Sequence, residues 1–282
     1  MKVMFLGTSS SAGKTTLVAM YCRYLSRKGL KVSPFKASNL SLNSYVTSEG
    51  KEIGMGQAFQ AWACSIEPTG DMNPVLLKPS GKGVIQVVVD GRPYADISPG
   101  CPVDTDELVE FADAAFDRLY GENDAVICEG SGSPAEINLA SRDIANMRMV
   151  KERDIPAVIV GDIERGGVFA AIYGTWRLIP EKDRHYLKGF IINRFRGDAG
   201  ILKSGIDKIV ELTGMKCLGI IPYINVRFPE EDSLSSSNGK LSGDSVTDAY
   251  MKNLDELIDS VSETFSFDLL DEISEDSGKQ IG

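Results

Sequence analysis

The stretch that most constrains this chain is its N-terminal run Met1–Thr16, MKVMFLGTSSSAGKTT. Four apolar residues, Val3 to Leu6, make a short strand. A Gly/Ser-rich turn follows, and Gly13-Lys14-Thr15 then opens a helix over Leu17–Leu25. Small residues in such a turn let backbone N–H groups close around phosphate oxygens at the positive end of a helix. Thr8, Ser9, Ser10, Ser11, Ala12, Gly13, Lys14, Thr15 and Thr16 would therefore cradle a nucleoside triphosphate. Lys14 would neutralise its outer phosphates, and the Thr15 hydroxyl would hold Mg²⁺. The spacing departs from the common phosphate-loop pattern: five residues, not four, separate Gly7 from Gly13.

A loop of this kind joins a strand to a helix, and the rest of the chain continues that alternation. Short apolar runs bounded by turn residues recur: VMFLGT, KVSPFK, AVICEG, AVIVGD, GFIINR and CLGIIPY. Segments of helical pattern lie between them, such as Asp104–Tyr120 and Ile201–Thr213. Continuous apolar strands interleaved with helices predict an α/β fold, a mostly parallel sheet with helices on both faces. Ligands bind such sheets at the carboxyl ends of the strands. One insertion interrupts the pattern. Residues 73–98 read as a β-hairpin excursion, with turns at Ser80-Gly81-Lys82-Gly83 and Asp90-Gly91.

The net charge of −10 is not spread evenly. Residues 229–282 carry fourteen Asp/Glu against three Lys/Arg, which leaves the preceding body almost neutral. No basic stripe is present for nucleic acid. No apolar run is long enough to span a membrane, and the first strand leads straight into the phosphate loop rather than reading as a signal peptide. Five scattered cysteines without paired spacing, and a single histidine, argue against a zinc site and fit reduced thiols in the cytoplasm. Three units follow: a body over 1–228, an acidic linker over 229–245 that reads as mobile, and an amphipathic helical tail over 246–282. In the tail Tyr250, Leu254, Leu257, Ile258, Val261 and Phe265 share one helix face, with Thr247 as N-cap. That face needs a partner surface, either the body or another chain.

Chemistry-bearing residues stand where the apolar runs end. After the second run, Pro34–Ser44 offers Lys36, Asn39, Asn43 and several hydroxyls without a carboxylate, which suits an anionic substrate and a transferring phosphoryl group. Glu129 directly follows AVIC and would supply a second Mg²⁺ contact, with Gly130 and Gly132 leaving room for phosphate. Asp162 and Arg165 either form a simple ion pair or place Arg165 near substrate carboxylates or the transferred phosphoryl group. Asn193 ends the GFIINR run and offers both donor and acceptor, the complement of an adenine edge. His185 lies in a charged, exposed stretch, and no cysteine sits in a nucleophile context with it, so an internal glutaminase triad is not visible.

Together, GTSSSAGKT, PFKASNLSLNSYVTSEGKEIGMGQAFQA, DMNPVLLKP, EGSGSPAEINL, GDIERGGVFA and GFIINRFRGD closely resemble the ATP-binding part of cobyric acid synthases. The broader relatives are the cobyrinic acid a,c-diamide synthases and dethiobiotin synthetase, whose phosphate loop shares the five-residue spacing. The resemblance implies ATP-dependent amidation of corrin-ring carboxylates through an acyl phosphate, with ATP and Mg²⁺ as cofactors. It gives Ser10 to Thr16 to the phosphates, Thr15 and Glu129 to Mg²⁺, Lys36 to the transferring phosphoryl group and Asn193 to adenine. It lines the substrate side with Asn39, Asn43, Ser133 and Asn138, and it implies a homodimer. Ser38 and Leu40 stand where the family usually has Gln and Met, and Glu164 where it has Asp. The tail resembles the extreme C-terminal helix of full-length enzymes, so the glutaminase reads as lost from between the two. Ammonia would come from solution or from a separate glutaminase subunit. Two other readings stay open: a regulatory ATP-binding module that engages a partner through its acidic tail, and a ligase for a different small carboxylic acid. Against the first, Ser9 stands where positioning ATPases carry an additional lysine.

Overall fold

The computed structural model describes residues 1–81, 83–98, 103–224 and 246–276. The acidic linker, Lys82, Cys101 and the last six residues lie outside them.

In chain order, β1 (Lys2–Gly7) leads through the phosphate loop into α1 (Lys14–Arg27), and β2 (Val32–Phe35) follows. Three short strands come next, β3 (Ser38–Leu40), β4 (Ser44–Val46) and β5 (Glu52–Gly54), and then α2 (Met55–Ala63). The insertion supplies β6 (Val75–Gly81), β7 (Val84–Val89) and β8 (Arg92–Ile97). Alternation then resumes with α3 (Thr105–Glu122), β9 (Ala125–Glu129), α4 (Met147–Glu152), β10 (Ala157–Asp162) and α5 (Val168–Leu178). The body ends on β11 (Leu187–Phe195), α6 (Lys203–Thr213) and β12 (Lys216–Pro222), and the tail forms α7 (Val246–Val261) and α8 (Phe267–Glu275).

Six strands form one parallel sheet in the order β12-β11-β10-β1-β9-β2. Side chains alternate across a strand, so each apolar run feeds two cores. Val3 and Phe5 join Ile127, Val158 and Ile191 beneath α1, α2, α7 and α8. Met4 and Leu6 join Val126, Ile159 and Ile192 beneath α3 to α6. The expected parallel sheet covered on both faces is what forms.

Two local expectations change. The expected hairpin excursion, with its two turns, is a three-stranded antiparallel meander, and β3 unexpectedly adds to it in parallel, giving the order β3-β6-β7-β8. Its second turn places Asp90 at φ 48° and Gly91 at φ 73°, the left-handed pair that a tight hairpin requires. In the tail, Thr247 lies inside α7 rather than capping it. The apolar face of α7 is buried in its own body, with Tyr250, Leu254 and Val261 fully covered. Arg23 of α1 holds Asp255 through two 2.8 Å hydrogen bonds, and Tyr21 donates to Asp271 at 2.8 Å.

Candidate functional site

The phosphate loop takes its shape from backbone geometry. Ser11 and Gly13 adopt positive φ, 59° and 96°, and Gly13 is the residue that caps α1. A Cβ on Gly13 would collide with the Asn193 amide, and one on Gly7 would lie 2.5 Å from Lys14 Nζ. Lys14 folds back over the loop. Its ammonium donates to the Ser9 carbonyl at 3.1 Å and to the Gly132 carbonyl at 2.8 Å, tying the loop to the segment after β9. Burial pulls the Lys14 ammonium down to about 8, and neighbouring Lys36 adds to that fall while Glu129 opposes it.

Glu129 ends β9 only 2% exposed, with three donors around it. Lys36 Nζ donates to Oε1 at 2.7 Å, Thr15 Oγ1 donates to the same oxygen at 3.0 Å, and Gln60 Nε2 donates to Oε2 at 2.6 Å. Burial alone would raise this carboxyl. The Lys36 and Lys14 charges and the Gln60 hydrogen bond outweigh burial, hold it below the usual range and keep it ionised. Lys36 is fixed from behind by Asn73, which is wholly buried. Asn73 Nδ2 donates to the Lys36 and Val75 carbonyls, each at 3.0 Å, while its Oδ1 accepts from Gly54 N–H at 2.9 Å.

Lys14, Thr15, Lys36 and Glu129 face one cavity of about 1680 Å³. Its walls continue over Asn39, Leu77, Ile97, Ser133, Leu139 and Arg142.

Residues 3–234 match the family model described as the CobQ/CobB/MinD/ParA nucleotide binding domain. The chain belongs to that family. It is 51% identical over 236 residues to a probable cobyric acid synthase of Methanoculleus marisnigri, covering 83% of this chain and 48% of the relative. Against a probable cobyric acid synthase of Methanosarcina acetivorans it is 50% identical, with the same shares covered. A cobyric acid synthase of Dehalococcoides mccartyi is 47% identical over 241 residues, 82% of this chain and 46% of that protein. The chain thus spans about half the length of the curated relatives it matches. Among solved structures, the MinC:MinD cell division protein complex of Aquifex aeolicus is 18% identical with a TM-score of 0.44, covering 79% of this chain and 82% of that one. The signal recognition particle receptor FtsY of Elizabethkingia anophelis is 12% identical with a TM-score of 0.46, over 90% and 64%.

In this nucleotide-binding domain the structure gathers some of the expected residues and disperses others. Ser10, Ser11, Gly13, Lys14, Thr15, Thr16, Lys36, Asn39, Glu129 and Ser133 line the cavity. Thr8, Ser9 and Ala12 shape the loop through their backbones. Asn193 is occupied in holding that loop. Its Nδ2 donates to the Ala12 carbonyl at 2.8 Å and its Oδ1 accepts from Arg194 N–H, which engages one N–H and one lone pair of the amide. Asn43, Asn138 and Arg165 are exposed and lie off the cavity wall. After Ser41 the chain turns away into the β4–β5 hairpin and carries Asn43 with it. On the 3₁₀ segment 137–142, Ile137 and Leu139 line the cavity and Asn138 does not. Asp162 pairs with Arg194 at 2.8 Å, and not with Arg165. His185 is exposed, as expected.

Sequence reasoning passed over Asn73, Gln57 and Gln60. The signal for the glutamines was present: two amides three residues apart in the otherwise apolar helix MGQAFQAWA. Among the described residues no helix is long and apolar enough to cross a membrane.

The depressed Lys14 ammonium gives nucleotide binding a pH signature. A phosphate against Lys14 favours its charged form, so the bound state holds more protons than the free state once the pH passes about 8. Affinity for ADP is expected to be level below that point and to fall above it by up to about tenfold per pH unit. Calorimetry in buffers of different ionisation enthalpy would report the proton uptake. An affinity unchanged up to strongly alkaline pH would contradict it.

Proposed function

We propose that this chain is an ATP-dependent amidoligase that converts side-chain carboxylates of a corrinoid into primary amides, with ammonia from solution or from a separate glutaminase. The observation that carries the reading is the continuity of the cavity. Ligand pockets ordinarily measure about 300–1,000 Å³. This one, about 1680 Å³, runs from the phosphate loop across an apolar wall that includes Leu77, Ile97 and Leu139, with space for a macrocycle beside a nucleotide. The cobyric acid synthase relatives supply the substrate class.

In the reaction, a substrate carboxylate oxygen attacks the γ-phosphorus and ADP departs, leaving an acyl phosphate. Ammonia then attacks the acyl carbon, phosphate leaves with the bonding pair, and the nitrogen loses a proton. The protein's part is positioning and charge. Loop N–H groups and Lys14 hold the phosphates, and Lys36 stabilises the phosphoryl group in transfer. Mg²⁺, when bound, would draw charge from the β- and γ-phosphate oxygens. Thr15 Oγ1 and Glu129 Oε1, 3.0 Å apart, are hard oxygen donors that suit it. Among the described residues no cluster of three or more His, Cys, Asp or Glu stands ready for a metal, so water and phosphate would complete the shell, as Mg²⁺ prefers. The Lys36 ammonium already stands on Oε1 as a cation. Lys36, once exchanged from that oxygen, is free to meet the phosphoryl group.

The test is turnover of the chain with ATP, Mg²⁺ and a corrinoid polycarboxylic acid, with ammonium chloride or glutamine as nitrogen donor. Phosphate release and an amide product seen by mass spectrometry are expected with ammonium and not with glutamine. Absence of both signals across corrinoid acids, with nucleotide binding intact, would overturn the proposal.

A further inference from the structure

Gln57 and Gln60 lie one turn apart on α2 and are covered by the fold, 1% and 0% exposed. Amides buried on an apolar helix cost free energy unless their polar atoms are engaged. Here they are engaged in one direction. Gln60 Nε2 donates to Glu129 Oε2 at 2.6 Å and also meets the Thr15 carbonyl at 3.4 Å. Gln57 Nε2 donates to Gln60 Oε1 at 3.4 Å, and Asn39 Nδ2 donates to Gln57 Oε1 at 3.1 Å. Two acceptors at one end of Gln60, one of them an ionised carboxylate, decide which end is nitrogen. The row therefore runs from β3 at the cavity wall to the acid at the end of β9, with each donor aimed toward Glu129.

The two oxygens of Glu129 are not equivalent. Oε1 carries Lys36 and Thr15, whereas Oε2 carries Gln60. A cation arriving at Oε1 requires the first two to change partners, but the Gln60 bond can persist. We infer that Gln60 is a positioning residue that holds Oε2 and keeps Oε1 turned to the cation site, with Gln57 and Asn39 locking its rotamer. The inference rests on the proposed role of Glu129 as the cation's carboxylate. Loss of an outer hydrogen-bond partner of a metal ligand commonly costs about 10–100-fold in metal affinity.

The test uses the full chain, ADP and Mn²⁺, with bound Mn²⁺ followed by electron paramagnetic resonance and metal-free ADP affinity by calorimetry. Gln60→Met is expected to raise half-saturating Mn²⁺ about tenfold or more while leaving metal-free ADP affinity within about twofold. Gln57→Met should give a smaller rise in the same direction, and it decides the matter if circular dichroism shows that Gln60→Met does not fold. Unchanged Mn²⁺ dependence in the folded variants would overturn the positioning role while leaving Glu129 as the cation's acid. If Mn²⁺ adds nothing to ADP affinity in the native chain, the role of Glu129 falls, and this inference falls with it.

Discussion

A chain stopped at residue 245 is expected to lose its cooperative native fold. The tail contributes Tyr250, Leu254, Leu257, Ile258, Val261, Phe265, Phe267, Leu270 and Ile273 to the core on one face of the main sheet, each at most 9% exposed. Burying one such side chain is worth roughly 1.5–3 kcal/mol, while the net stability of a domain is only about 5–15 kcal/mol. Even with a compact denatured state taking back part of that gain, nine lost contacts exceed what the remainder can spare. The polar seam points the same way. Tyr21 is fully buried, and its hydroxyl meets Asp271 and Ser274 of α8, so truncation strands it. Backbone pairing also ties the tail to β12, with Ile220 N–H donating to the Thr264 carbonyl at 3.0 Å and Ser266 N–H to the Leu218 carbonyl at 2.8 Å. The measurement is a far-UV circular dichroism melt with gel filtration. A truncated chain that stays monomeric and melts within a few degrees of the full chain would show that the tail is an accessory.

The main sheet was legible because strands covered on both faces need apolar residues at every position, and such runs stand out as blocks like AVIVGD and GFIINR. The phosphate-loop end of the cavity was legible for a related reason: Lys14, Thr15, Lys36 and Glu129 each lie within a residue or two of a strand end or loop glycine. β3 was not legible. Ser38–Leu40 carries no alternation and becomes a strand only by pairing with β6, far along the chain. The same tertiary pairing fixes which way each loop faces, and so Asn39 reaches the cavity while Asn43, four residues on, does not. Gln57 and Gln60 were passed over for the opposite reason. Glutamine on a helix ordinarily marks a solvated face, and only the fold reveals that this face lies against a carboxylate.

Glu129→Gln should lower turnover about a thousandfold, roughly 4 kcal/mol of barrier, while leaving metal-free nucleotide binding intact or tighter. The opposed signs follow from the charges around the site. Glu129 now neutralises Lys36 at 2.7 Å and draws on Lys14, so in the absence of a cation it competes with phosphate for both ammonium groups. Replacing it with an amide of the same shape frees those groups for phosphate, and metal-free ADP should gain affinity. Supply of the divalent cation should then yield little further gain, because the carboxylate that would share it is missing. Lys36→Met should behave differently. It leaves Glu129 buried without its nearest counter-charge, and breaking a buried pair from one side typically costs about 3–5 kcal/mol of stability. Thermal melts should therefore fall further for Lys36→Met than for Glu129→Gln, while calorimetry with and without Mg²⁺ separates their binding effects. A fall in metal-free affinity for Glu129→Gln would make Glu129 a structural counter-ion of the loop. A gain there, lost when Mg²⁺ is added, is what a carboxylate kept for the cation requires.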